Sequence, residues 1–200
     1  MPASASSASR LKRSRRLVGS NLRSLRWPLV VVAAVVLADQ GTKLWAVSSL
    51  TEHTPVRVLG NFLMFSLVYN QGGAMGTRLG PSGYYMIMAL IVLPVVLYYL
   101  YRNRQFPAIS LPLAFIAAGA IGNLIDRIRL GQVIDFIDVD FFDISLGSFY
   151  LERWWTFNVA DACISCSIVF LIAHMFIQRR DLDSTSCARG GPEPPADSTH

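Results

Sequence analysis

Long apolar stretches alternate along this chain with short polar ones. Four of them, about Trp27–Val47, Gly83–Tyr101, Pro107–Ile125 and Phe157–Ile177, are each long enough to cross a bilayer as a helix, which takes ~20 residues. Each carries glycine, proline or polar residues that a membrane bundle tolerates. Two longer connections, about 48–82 and 126–156, separate the first span from the second and the third from the fourth. Within them Pro55–Tyr69 sets Val56, Val58, Phe62, Phe65 and Val68 among turn residues, and Val133–Tyr150 is aromatic and β-branched. That pattern predicts short strands, and their apolar content predicts that they lie at the membrane surface against lipid or substrate. The expected architecture is an all-α membrane protein, four transmembrane helices with small β-rich outer loops at the membrane surface.

Composition agrees: the chain is 52% hydrophobic with a mean hydropathy of +0.41, and its 200 residues suit one domain. The formal charge of +5 changes the picture only through its placement. Seven of the eighteen lysines and arginines (Arg10, Lys12, Arg13, Arg15, Arg16, Arg23, Arg26) precede the first span. Others, Arg102 and Arg104, lie between spans two and three, and Arg179 and Arg180 end span four. A basic segment beside a hydrophobic span sets orientation rather than binding nucleic acid, so both termini are expected on the cytoplasmic side and the two long loops outside. A cleaved signal peptide with Pro28–Ala38 as its apolar region is the rival reading. No small-x-small cleavage site follows, and retention is expected. Residues 1–26 and 179–200 read as disordered cytoplasmic tails, flanking a four-span domain over 27–178.

Ionisable residues within a span are costly and need a reason. Asp39 and Lys43 are four apart on span one, placed for an ion pair on one helix face. Asn123, Asp126 and Arg127 end span three; Asp135 follows in Val-Ile-Asp-Phe-Ile-Asp; Asn158 and Asp161 open span four. Spans one and three run outward and span four inward, so these residues fall in one outer layer, while only His174 sits near a cytoplasmic end. One polar pocket opening outward accounts for them. Cys163 and Cys166 form a Cys-x-x-Cys inside an apolar run and read as packing residues rather than a redox or zinc site; Cys187 lies in a polar tail.

The motifs of zinc peptidases, serine hydrolases and nucleotide-binding loops are missing from the sequence. No histidine falls in the layer to partner a nucleophile. Carboxylates remain. Two held close in a low-dielectric site share a proton, one serving as base toward water and the other as acid. Such chemistry needs no cofactor or metal, and none is signalled. Asp138, Asp140 and Asp143 lack the glycine and terminal glutamate of a calcium loop and read as solvated loop acids. Asp135 reads as sitting at a loop edge, more mobile than Asp161 on its helix. Position does not choose which two aspartates pair, and a small ion-coupled transporter or a non-catalytic membrane assembly factor remain the alternatives.

Five segments in order resemble the lipoprotein signal peptidase (type II signal peptidase) family: Asp39-Gln-Gly-Thr-Lys43, Asn70-Gln-Gly-Gly-Ala74, Gly119-Ala-Ile-Gly-Asn-Leu-Ile-Asp-Arg127, Gly131-Gln-Val-Ile-Asp-Phe136 and Phe157-Asn-Val-Ala-Asp161. The resemblance covers about 27–177. It implies an aspartic endopeptidase of the bacterial cell membrane that removes the signal peptide of diacylglyceryl-modified prolipoproteins, cutting just before the lipid-modified cysteine. It places the catalytic pair on Asp135 and Asp161 and substrate binding on Asn70, Gly72, Asn123, Arg127 and Asn158. Asp39, Lys43 and Asp126 become pocket or structural polar positions. Gly73 stands where many members have alanine. Implied partners are the prolipoprotein, membrane lipids and globomycin-like cyclic peptide inhibitors; a monomer is expected.

Overall fold

The structure, a computed structural model, describes residues 5–73, 80, 82–140, 144–146, 149–151 and 155–189, with side chains described over 25–73, 80, 82–140 and 155–179. Helix α1 spans Ala5–Ser49, followed by strands β1 (Val56–Leu59) and β2 (Leu63–Asn70). Helices α2 (Ser82–Arg102) and α3 (Pro107–Leu130) form a hairpin. Strands β3 (Val133–Val139), β4 (Ile144–Leu146) and β5 (Phe149–Leu151) precede helix α4 (Val159–Arg189). Leu25–Ser49, Ser82–Arg102, Pro107–Leu130 and Val159–Arg179 are long and apolar enough to cross a membrane, so the four predicted spans are present.

Helix α3 is the centre of the bundle and packs against the other three helices. Ala114, Ala117, Ala118, Gly119 and Gly122 are buried on it, small residues that let membrane helices approach closely. At two positions the approach needs glycine itself. A Cβ on Gly119 would stand 2.5 Å from the Ala160 carbonyl oxygen of α4, and one on Gly122 would stand 2.5 Å from Asp39 Oδ2 of α1. The outward faces carry exposed Leu29, Leu37, Ile91, Val95, Val169 and Phe176, a continuous apolar surface suited to lipid and unfavourable in water. Phe106 is extended before Pro107, which begins α3, and Gly131 ends it in the left-handed region (φ 72°), returning its N–H to the Arg127 carbonyl at 3.0 Å.

The sheet sits over one end of this bundle. Its order is β1-β2-β3, all antiparallel, with Val68 opposite Asp135 and Asn70 opposite Val133. Alternation along the strands separates two faces. Leu67, Ile134 and Phe136 pack on Ala46 near the end of α1, and the Trp45 ring meets Phe65 edge-on at 5.1 Å. Asn70 and Asp135 look the other way. The free edge of β3 is taken by the segment entering α4: Phe157 and Ile137 exchange N–H to carbonyl bonds of 2.9 and 2.8 Å. The strands expected in both long connections are therefore present, β4 pairing with β5 as a separate hairpin.

Three expectations change. Asp135 is inside a strand bonded on both sides and 1% exposed, not at a mobile loop edge, because β2 and the Phe157 segment both pair with β3. Asp138 is buried rather than solvated, being drawn in by the same strand opposite Met64. The flanks read as disordered are helical over their described parts, from Ala5 and as far as Arg189. Each continues the turn of a membrane-spanning helix with no proline of its own to stop it, and the first glycine-proline cluster comes only after Arg189. Met1–Ser4, Ala74, Asp143 and residues 190–200 lie outside the described residues.

Candidate active site

Three buried charges form the floor of the site. Lys43 Nζ reaches Asp39 Oδ2 at 2.9 Å along α1 and Asp126 Oδ2 at 2.7 Å across to α3, all three side chains at most 2% exposed. The ion pair predicted from the i,i+4 spacing is present and extended by a second carboxylate. Both carboxylates also accept backbone N–H groups: Asp39 Oδ1 from Ala160 at 3.0 Å, and Asp126 Oδ2 from Ile134 at 3.3 Å. One anchors the first turn of α4 and the other anchors β3 beside Asp135. Gln40 Nε2 ties the group together by donating to Asp126 Oδ1 at 3.0 Å, with longer bonds to Asp39 Oδ2 and the Gly122 carbonyl. Buried ions are tolerated when paired and fully hydrogen-bonded, which this arrangement supplies.

Above the floor, helix capping sets Asp161. Asn158 Oδ1 accepts the Asp161 N–H at 2.9 Å, and Asp161 Oδ2 accepts the Asn158 N–H at 3.4 Å. This is the reciprocal capping box of a helix N-terminus, written here as Asn-Val-Ala-Asp. With its oxygen committed to the cap, Asn158 turns its amide nitrogen to Asp135 Oδ1 at 2.7 Å. Asn123 Nδ2 donates to Asp161 Oδ1 at 2.7 Å. Asn70, one residue pair along the same sheet face, donates to Asp135 Oδ2 at 2.9 Å. Burial pushes the Asp135 carboxyl up to about 7; the neighbouring Asp161 charge acts the same way, while the Asn70 and Asn158 bonds and the Lys43 charge oppose it.

Asp135 and Asp161 meet at a cavity of about 460 Å³ whose wall also includes Asn70, Asn123, Arg127 and Trp155. Gly72 is buried beside it, its N–H on Asn70 Oδ1 at 2.8 Å and its carbonyl receiving Arg127 Nη2 at 3.1 Å. Arg127 lies over the Tyr85 ring at 5.9 Å, and among the described residues its buried Nε has no partner. Cys166 is exposed in the same wall and does not pack in a core, because the seam between α3 and α4 opens there. Among the described residues no three His, Cys, Asp or Glu side chains are grouped to hold a metal ion.

Residues 31–177 match the family described as signal peptidase (SPase) II. The chain belongs to that family. The lipoprotein signal peptidase of Syntrophus aciditrophicus (strain SB) is 34% identical over 161 residues, 76% of this chain and 94% of that protein. That of Treponema pallidum (strain Nichols) is 34% identical over 182 residues, 86% and 96% respectively. A solved structure titled as a bacterial membrane enzyme by the in meso method at 2.3 Å resolution superposes with a TM-score of 0.63 at 25% identity, covering 84% of this chain and 93% of that one. As a signal peptidase II the chain is a multi-pass bacterial membrane protease.

Every site position drawn from the sequence falls in this one region of the signal peptidase II fold. Asp135, Asp161, Asn70, Asn123, Arg127 and Asn158 are at or around the cavity, and Asp39, Lys43 and Asp126 lie beneath it. Gln40 belongs to the site although the sequence reading assigns it no role. Its position between an aspartate and a lysine on one span is the available signal, since a half-buried glutamine needs partners. Trp155 and Thr156, which also line the cavity, carried no signal, being in an irregular segment between β5 and α4.

Proposed function

We propose that this protein removes the signal peptide of diacylglyceryl-modified prolipoproteins, cutting just before the lipid-modified cysteine, with Asp135 and Asp161 activating water. The observation that carries the reading is the meeting of these two carboxylates, Asp135 buried and Asp161 half-buried, at one cavity, each held by the amide of a different asparagine. A pair in such surroundings titrates together and retains one proton. The ionised member takes a proton from water as it attacks the scissile carbonyl carbon. The protonated member donates to the carbonyl oxygen and, as the C–N bond breaks, a proton reaches the leaving amine. The Nε of Arg127, without a partner among the described residues, is a donor that could turn to a substrate carbonyl.

The substrate enters from the bilayer, where its lipid and signal helix both reside. In this proposal the termini are cytoplasmic and the cavity faces the outer interface, a reading supported by the basic flanks. Asp39, Lys43 and Asp126 serve as structure beneath the pair. The test is purified enzyme with a diacylglyceryl prolipoprotein, read as a signal-peptide-sized shift that globomycin blocks. Wild type cleaves; Asp135→Asn and Asp161→Asn fold but do not. Normal turnover by either variant removes the dyad.

A further inference from the structure

Lys43 has three N–H donors and three acceptors: Asp39 Oδ2, Asp126 Oδ2 and, at 3.0 Å, Asn123 Oδ1. An ammonium donates and never accepts. The Asn123 oxygen must therefore face Lys43, and its amide nitrogen is left pointing at Asp161. Asn158 Nδ2 reinforces the same orientation by donating to Asn123 Oδ1 at 3.1 Å. Turned over, the carboxamide would set its N–H₂ against the ammonium and its oxygen against a carboxylate, which is repulsive on both sides.

We infer that Lys43 is a positioning residue for hydrolysis, fixing the orientation of the Asn123 carboxamide so that an N–H donor faces Asp161. This rests on the dyad reading above and deepens it. The same ammonium, through the carboxylates of Asp39 and Asp126, joins the two backbone segments that carry the dyad, one at Ala160 and one at Ile134. Its charge also acts on Asp135, which is faced in addition by Asp161 from α4, Arg127 from α3, Asn70 from β2 and Asn158 before α4. The donor role and the charge role can be separated by substitution.

The experiment places Lys43→Gln and Lys43→Met each in an Asp126→Asn background, so that the cluster keeps its wild-type net charge; both variants leave Asp39 without its cation to the same extent, so the comparison between them isolates the donor. Glutamine can still donate to Asn123 Oδ1; methionine cannot. Relative to Asp126→Asn alone, the Gln variant keeps kcat within about tenfold, and the Met variant loses about 10²-fold, the scale of a misplaced catalytic group. KM stays within about threefold in both. Both lose the Lys43 charge, so the alkaline limb of their pH profiles moves up equally. Equal kcat in the Gln and Met variants overturns the inference. Should the Met variant not fold, Asn123→Asp provides the second test, since it keeps the Lys43 contact and removes the N–H facing Asp161. Its carboxylate, set against Asp161, lowers the thermal midpoint but leaves the protein folded, and kcat falls about 10²-fold; wild-type kcat there also overturns the inference. Turnover by Asp135→Asn or Asp161→Asn would instead remove the dyad reading, so the two failures are distinguishable.

Discussion

Asn158 Nδ2 donates to Asn123 Oδ1 at 3.1 Å, and each of these asparagines passes a second amide bond of 2.7 Å to a different aspartate. The two carboxylates are thus held through one asparagine pair, drawn from α3 and from the entrance to α4. Side-chain amides suit this task because each offers donor and acceptor and stays neutral at every working pH.

Asn158 has two duties that substitution separates. Asn158→Ala removes the cap of α4 and the bond to Asp135, costing about 1 kcal/mol of stability from the cap and about 10²-fold in kcat from the displaced carboxylate. Asn158→Ser restores the cap but cannot reach Asp135. Its thermal midpoint in detergent returns close to wild type while kcat does not. Parallel recovery of both would show that capping alone matters.

The elevated Asp135 carboxyl makes activity and stability depend on pH in a defined direction. Activity requires the shared proton, so kcat/KM falls as pH rises through about 7. For stability, the folded protein holds a proton between the ordinary carboxylate value of 3.8 and about 7 that the unfolded chain has released. Stability from this group is therefore present below 3.8 and declines as pH rises to about 7. Asp135→Asn abolishes that decline. Thermal melts of both proteins from pH 4 to 8 check it, and parallel curves would contradict it.

Arg127 is predicted to bind substrate through its Nε–H while Nη2 holds the Gly72 carbonyl, a pairing of donors that lysine cannot reproduce. Arg127→Ala lowers kcat/KM by about 10²-fold, a loss of roughly 2–3 kcal/mol in transition-state binding, and Arg127→Lys recovers only part. Steady-state kinetics that leave kcat and KM both unchanged in Arg127→Ala would refute this.

Close helix approach gives a stability prediction. Gly119→Ala drives a methyl toward the Ala160 carbonyl oxygen and Gly122→Ala drives one into Asp39, each costing about 1–3 kcal/mol by overpacking. Gly41→Ala meets nothing within 4 Å and, on an exposed helix face, is neutral or gains up to about 1 kcal/mol. Thermal midpoints in one detergent compare the three.

Much of this arrangement was legible in the chain. Hydropathy located the four spans, and charge bias put Asp39, Lys43, Asn123, Asp126, Asn158 and Asp161 in one layer, because helix direction converts sequence position into depth. Valine and aromatic runs betrayed the strands. What stayed hidden depends on contacts between distant segments. Lys43 finding Asp126, Gln40 spanning two carboxylates, and the pairing of Phe157 with Ile137 have no local signature. That last pairing turned Asp135 from an expected loop-edge residue into a strand residue. The choice of Asp135 over Asp39 came from motif resemblance, since burial and depth are shared by both. The transporter alternative lost its footing when the chain was placed in a protease family.

The chain has no slack between Phe157 and Asp161. Phe157 is pinned to Ile137 by backbone bonds, and the next four residues are spent on the capping box. Inserting one residue there would turn Asp161 about 100° around its helix, away from the cavity. A library of single-residue insertions scanned from Phe157 to Asp161 should therefore lose activity at every position, and the length of this segment is expected to be invariant.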